Sequence, residues 1–331
     1  MRFKILAVIA ATFLLIVIIP KPQVREDNPF RRDDEPLIIA HGGGNQEFPD
    51  NTLEAYFNAY SVNPGFMLEI DVNMTADGII ILSHDLTLDR KTNLQNALIS
   101  EITYDDLVND EVDFGYSNPI DGPNGYNVTG EFNRYTNWEG NTVTPLDVTY
   151  PSGVSARHPE KFLVTTLEEI FLHFPDNLMS VEIKQSGELG LEALEIVMDL
   201  MVEYDMINQV VLSSFHREIV DQFVAYQESD YPNLMYAPQE DGVRLFYIMT
   251  RAYMSLFYTD KPAILAIPTS SGDLDLTTNQ LINNAHRHNI AIHYWTINDP
   301  DTMRLLIERG ADGLITDRPT LMQSILDETN D

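Results

Sequence analysis

The chain contains no cysteine. That absence excludes disulfide cross-links, thiolate zinc sites, cysteine nucleophiles and a cysteine-attached lipid anchor, so a bound metal must be held by oxygen or imidazole. Positive charge is also scarce. Twenty Lys and Arg stand against 51 Asp and Glu, a formal net charge of -31, which repels nucleic acid and anionic surfaces at long range and favours a well-hydrated body. No nucleic-acid partner is expected. The acidity reads equally as a mark of a saline or cation-rich exterior and as a solvated surface, so no mechanism is drawn from it.

The N-terminus differs from the rest. Arg2 and Lys4 precede an uncharged apolar run from Ile5 to Pro20, and Lys21 to Glu35 is polar and proline-containing. Residues 1–20 therefore read as a hydrophobic membrane anchor or signal segment, and residues 21–35 as a polar linker. The run is shorter than the ~20 residues of a full span, though tilt accommodates the difference. No clear small-x-small cleavage site follows, which favours an uncleaved anchor over a signal peptide. The expected protein is membrane-anchored with its large domain outside the cytoplasm, or secreted if the segment is cleaved.

At 331 residues the chain is long enough for one large α/β barrel or two smaller domains. From residue 36 onward short apolar runs alternate with helical patterns, the sign of a parallel-stranded α/β fold. Strands are predicted at Leu37–Gly43, Phe66–Val72, Leu178–Lys184, Gln209–Phe215, Asn233–Ala237, Ala263–Pro268, Ala291–Ile297 and Gly313–Thr316. Helix starts are expected at Asn51 or Thr52, at Thr165–Thr166 ahead of Glu168–Glu169, and at Asp299–Pro300. Eight strands with intervening helices fit a (β/α)8 TIM barrel over residues 36–331.

A further strand, Ile79–His84, follows the second after only Thr75-Ala76-Asp77-Gly78. A parallel neighbour needs a crossover of about a dozen residues, so this strand must return as an antiparallel hairpin. That return brings His84 back to the carboxyl-end rim, where barrels carry their chemistry. Residues 90–162, rich in Asn, Gly, Pro, Tyr and Asp, read as a loop insertion over the mouth, either a lid or a surface excursion.

Chemistry-bearing residues recur inside these strands. Glu69 and Asp71 alternate onto one face of the second strand, where buried like charges demand a cation, a shared proton or water. Hard oxygen donors of this kind suit Ca2+ or Mg2+. Glu182 and Lys184 repeat the alternation, as a third metal ligand beside a phosphate-holding cation or as a plain ion pair. His41 ends the first strand ahead of Gly42-Gly43-Gly44, whose backbone amides could approach an anion. His41 and His84 titrate near neutrality and suit an acid/base pair. Trp295 could stack on an alcohol or choline-like group, or belong to the core. Asp312 and Thr316 to Pro319 read as turn formers without assigned chemistry.

His41-x-Gly43, Pro49-Asp50-Asn51-Thr52, Glu69-Ile70-Asp71-Val72, His84-Asp85, Glu182-Ile183-Lys184, Ser214-Phe215, Trp295-Thr296-Ile297-Asn298 and Gly313 to Pro319 follow one another in this order. The set resembles the glycerophosphodiester phosphodiesterase family from about Leu37 to Leu321. The resemblance implies a TIM barrel with a small β-hairpin, and metal-dependent hydrolysis of a glycerophosphodiester to an alcohol and glycerol phosphate. By matching position it implies His41 and His84 as acid/base pair, Glu69, Asp71 and Glu182 as ligands of one divalent cation, Ca2+ or Mg2+, and Lys184 on phosphate. Lysophospholipid hydrolysis of the phospholipase D type shares these residues and needs room for an acyl chain. The segment Leu245 to Tyr258 reads as a wall for such a chain or as an ordinary amphipathic helix. A catalytically silent barrel that binds a phosphate ligand or a partner is the remaining alternative.

Two departures stand out. Gly42 replaces the family arginine, removing a charged hydrogen bond of about 1.5 to 3 kcal/mol, so weaker phosphate binding or a relocated cation is expected. Asp50 replaces a longer glutamate.

Overall fold

The computed structural model describes residues 27–109, 112, 114 and 135–330. The N-terminal run read as an anchor or signal, and part of the loop insertion, lie outside the described residues. Among the described residues no helix is long and apolar enough to cross a membrane.

In chain order the strands are β1 (Leu37–His41), β2 (Met67–Met74), β3 (Ile80–Leu82), β4 (Met179–Ile183), β5 (Val210–Ser213), β6 (Met235–Tyr236), β7 (Ile264–Ile267), β8 (Ser270–Ser271), β9 (Leu274–Asp275), β10 (Ala291–Tyr294) and β11 (Gly313–Thr316). The helices are α1 (Leu53–Val62), α2 (Tyr104–Leu107), α3 (Leu167–His173), α4 (Gly187–Glu203), α5 (Arg217–Glu228), α6 (Glu240–Arg251), α7 (Asn279–Arg287), α8 (Pro300–Glu308) and α9 (Pro319–Asn330).

Eight strands pair in parallel in the order β6-β5-β4-β2-β1-β11-β10-β7. The ring is nearly closed: β6 and the start of β7 meet through a hydrogen bond from the Ala263 amide to the Tyr236 carbonyl, 2.9 Å. Strand alternation sorts the core into two layers. Leu37 and Ile39 join Met67, Val211 and Ile264 in one cluster, while Ile38 and Ala40 face the other, which includes the helix residues Leu53, Leu194 and Ile219.

The predicted strands are recovered, most with trimmed ends, while β2 runs two residues further, to Met74. β1 stops at His41 because Gly42, Gly43 and Gly44 all adopt left-handed φ, at 53°, 91° and 99°. β3 pairs antiparallel with β2, Val72 opposite Leu82 and Met74 opposite Ile80. The expected caps form: Thr52 accepts from the Ala55 amide, Thr166 and Glu169 make a capping box, and Asp299 accepts from the Thr302 amide. The small β8–β9 hairpin lacks any apolar signal and was not predicted; both of its strands are exposed.

Residues 28–32, within the stretch read as polar linker, pack onto the barrel. Phe30 is 0% exposed, clusters with Leu37, Ile39 and Ile264, and meets His293 edge-on at 6.1 Å. Asn28 donates to the carbonyls of Ala263 and Asn289, at 2.7 and 2.8 Å, and Arg31 pairs with Asp312. Further along, Tyr135 and Trp138 of the insertion hydrogen-bond to the Asn45 and Gln46 carbonyls, so this part of it lies beside His41.

Phe30→Ala in the full chain should lower unfolding free energy by about 3 to 5 kcal/mol through cavity formation. Urea denaturation followed by circular dichroism reads this directly; a loss below 1 kcal/mol would mean that the segment contributes no floor to the barrel.

Candidate active site

Register builds the site. His41 pairs with Glu69 across β1 and β2, and Asp71 pairs with Glu182 across β2 and β4. Because alternate residues share a face, the carboxylates of Glu69, Asp71 and Glu182 converge, each offering an oxygen within 4.8 Å of the others. Neighbouring groups hold them. Asn51, at φ 57°, donates its side chain to Asp71 Oδ2 at 2.9 Å and accepts from the Asp71 amide at 3.0 Å. The Gly42 amide donates to Glu69 Oε2, 3.0 Å.

Electrostatics follow from that crowding. Burial and then the Asp71 charge push Glu69 up to about 7. Burial likewise raises Glu182. Burial works against the Asp71 charge too, but Lys184 holds that carboxyl below its usual range. Lys184 Nζ lies 2.9 Å from Asp71 Oδ1 and 2.8 Å from Glu182 Oε1. Burial disfavours the ammonium, yet the two carboxylates raise its pKa. Of the two readings of Lys184, the ion pair is the one present here: Lys184 supplies the positive charge that the carboxylates require.

Each histidine is pinned through Nδ1 by a carboxylate. His41 Nδ1 meets Asp317 Oδ1 at 2.6 Å, and Asp317 Oδ2 accepts from Asn298 at 2.6 Å and Gln46 at 3.2 Å. Burial opposes the imidazolium, but the Asp317 hydrogen bond and charge, with Glu69 and Asp71 behind it, raise His41 to about 10. His84 Nδ1 meets Asp85 Oδ1 at 2.8 Å, and that bond raises its pKa. Asp85 in turn accepts from Arg90 Nε at 2.6 Å, Arg90 grips Asp50 at 2.9 Å, and Lys91 lies 3.1 Å from Asp50. Burial acts against both acids, but Arg90 and Lys91 hold Asp50, and the His84 hydrogen bond with Arg90 holds Asp85, well below the usual carboxylate range.

The glycine loop departs from expectation. Gly42 donates to Glu69, Gly43 to the Ala40 carbonyl and Gly44 to the His41 carbonyl, so these amides close the turn instead of presenting themselves to an anion. A Cβ on Gly42 would sit 3.0 Å from Asp50 Cβ, and one on Gly43 2.6 Å from Ala55 Cβ. Arg90 and Lys91 are both bound to Asp50, whose Cβ lies beside Gly42. Trp295, 39% exposed, follows β10, and Phe215, 71% exposed, follows β5.

Asp317, Asn298 and Arg90 were not singled out from sequence. Asp317 follows β11 directly, and its position beyond a barrel strand's carboxyl end was the available signal. Arg90 lies five residues after Asp85, within reach across one loop.

The donors fit a divalent cation. Glu69 and Asp71 are buried, the set is all oxygen, and both Glu69 and Glu182 are raised by burial and mutual charge, a cost that a bound cation relieves. The chain resembles proteins of known kind over most of its length. The lysophospholipase D GDPD1 of Rattus norvegicus is 24% identical over 312 residues, covering 87% of this chain and 85% of that protein. A glycerophosphodiester phosphodiesterase of Caldanaerobacter subterraneus is 24% identical, covering 88% and 97%. In fold, the chain is similar to an Oleispira antarctica phosphodiesterase solved with the product sn-glycerol-3-phosphate, with TM-score 0.59, 20% identity, and 88% and 97% coverage. The glycerophosphoryl diester phosphodiesterase family model matches residues 41–321. With barrel and acidic cluster in place across that same span, the chain belongs to the glycerophosphoryl diester phosphodiesterase family, a family of phosphoric diester hydrolases.

Proposed function

We propose that this protein hydrolyses glycerophosphodiesters to an alcohol and glycerol phosphate, with His41 and His84 as acid/base pair and Glu69, Asp71 and Glu182 as holders of one Ca2+ or Mg2+. The observation that carries the reading is the pair of histidines, each fixed through Nδ1 by a carboxylate, at the edge of the three-carboxylate cluster. A carboxylate at Nδ1 sets the ring's tautomer and orientation and stabilises the imidazolium.

The roles divide by environment. His41, raised to about 10, carries a proton at neutral pH and donates it to the departing alkoxide. His84, the more exposed ring, takes the proton from the attacking oxygen. One P–O bond forms as the other breaks, and the two histidines exchange protonation states. Glu69, Asp71 and Glu182 would hold the divalent cation, which when bound would supply positive charge for phosphoryl transfer. Lys184, which neutralises Asp71 and Glu182 here, becomes available to a phosphate oxygen once those carboxylates hold a cation.

Lysophospholipid hydrolysis is kept as a second reading because Phe215 and Trp295 leave apolar surface exposed beyond β5 and β10. Glycerophosphocholine, glycerophosphoethanolamine and lysophosphatidylcholine, assayed with Ca2+, Mg2+ or chelator, separate the two. No turnover of any of them would sink both.

His84→Ala should cut kcat by about 10²- to 10⁴-fold with Tm unchanged, and full activity would remove His84 from catalysis. Ca2+ or Mg2+ at a hundredfold excess over its Kd should stabilise the protein by about 2.7 kcal/mol; Asp71→Asn should abolish that gain in a thermal melt. A gain that survives would place the cation elsewhere.

The rate should be bell-shaped in pH. It rises as His84 loses its proton above the ordinary histidine value, and falls as His41 loses its own, at or below about 10. A cation on Glu69 and Asp71 cancels their share of the His41 shift, leaving Asp317 as the raising partner. Asp317→Asn should therefore move the alkaline limb down toward 6.5; an unmoved limb would contradict the His41 assignment.

A further inference from the structure

Residues 242–259 contain no carboxylate and two arginines, Arg244 and Arg251, in a chain with 51 acidic residues. The segment covers most of α6 and the turn after it. Leu245, Ile248, Tyr253, Met254, Leu256 and Phe257 are all exposed, Tyr253 at 86%. This ridge is not a loose loop. Phe246 and Tyr258 are buried beneath it with ring centroids 4.9 Å apart, and both rings meet His288 edge-on. Tyr253 adopts a left-handed φ of 58°, a conformation that glycine or asparagine takes more easily. An outward aromatic held in such a turn is not explained by packing.

Beside the ridge runs a groove of about 1620 Å³, lined by Leu245, Leu256 and Phe257 on one side and Val224 and Gln227 of α5 on the other. Its lining includes none of the active-site residues. Asp221, Glu228, Asp241 and Asp260 also line it, so the groove itself stays hydrated and the ridge is the apolar element. Asp27, the first described residue, lines the same groove. The uncharged run from Ile5 to Pro20 is joined to that point by residues 21–26, which extend no more than about 22 Å.

We infer that this ridge is a lipid-docking surface: its six apolar side chains lie in the interfacial layer of a bilayer while the acidic remainder of the barrel stays in water. Isolated surface apolar residues are ordinary, but a contiguous set with aromatic members and flanking arginines is the composition of an interfacial contact. The short connection from Asp27 to an apolar run points to the same occupant. A bilayer accepts a run that is apolar all round, whereas a one-sided groove would leave half of it in water. The inference goes beyond the proposed hydrolysis and does not rest on it.

Fluorescence of the full chain on phosphatidylcholine vesicles with brominated acyl chains tests it. The native tryptophans are reference points away from the ridge: Trp138 stacks on Arg318 at 4.5 Å, and Trp295 follows β10. Tyr253→Trp, at a side chain that packs on nothing, should be quenched at least about twofold more than wild type. Adding Leu256→Asp and Phe257→Asp should abolish the extra quenching with circular dichroism unchanged. Extra quenching that is absent from the start, or that survives the two aspartates, overturns the proposal. So does shielding of Tyr253→Trp from acrylamide without vesicles: concentration-dependent shielding assigns the ridge to a second copy, and concentration-independent shielding to the chain's own apolar run.

Discussion

Three carboxylates gathered at one end of a parallel barrel repel one another, and the surrounding structure answers that repulsion. Lys184 bridges Asp71 and Glu182, Asn51 also donates to Asp71, the Gly42 amide donates to Glu69, and His41 adds positive charge from the adjoining strand. The compensating groups come from three places in the chain: His41 and Gly42 at the end of β1, Asn51 in the loop that follows, and Lys184 after β4. Their convergence depends on the register of β1, β2 and β4, because a slip of β2 by one residue would turn Glu69 and Asp71 to the opposite face, away from Glu182.

The histidines answer a different constraint. The acid/base role proposed for them needs a fixed tautomer without a ring locked in one charge state. Asp317 and Asp85 meet this need in unlike settings: the first buried and fed by Asn298 and Gln46, the second backed by Arg90, Asp50 and Lys91. The substitution of Asp50 for a longer side chain belongs to this second arrangement. Its carboxylate is occupied by Arg90 and Lys91, and its Cβ stands beside Gly42, where an added Cβ would meet it at 3.0 Å. The departures at positions 42 and 50 are thus neighbours in space.

Much of this was readable in the sequence because the barrel imposes simple periodicities. Alternation placed Glu69 with Asp71 and Glu182 with Lys184, and the four-residue turn forced the hairpin that returns His84. What was not legible was pairing at a distance. Sequence left Lys184 between a phosphate contact and an ion pair, because it shows a lysine's strand but not which carboxylates stand within reach across β2 and β4. The Gly42–Gly44 amides were offered to an anion because the composition of a turn does not reveal which carbonyls its amides already meet. Asp317 was passed over because nothing in its local context discloses a partner at the other end of the chain.

The two halves of the site differ in how far the chain must travel to make them. His84 finds Asp85 next to it and Arg90 through it within six residues, and the hairpin carrying them pairs with its immediate predecessor. His41 and Asp317 are 276 residues apart and meet only when the last strand docks against the first. Contacts between distant segments carry the larger loop-closure cost and form late in folding. An unfinished barrel can therefore hold His84 in place while His41 still lacks its carboxylate, so the two rings are fixed together only once the barrel closes.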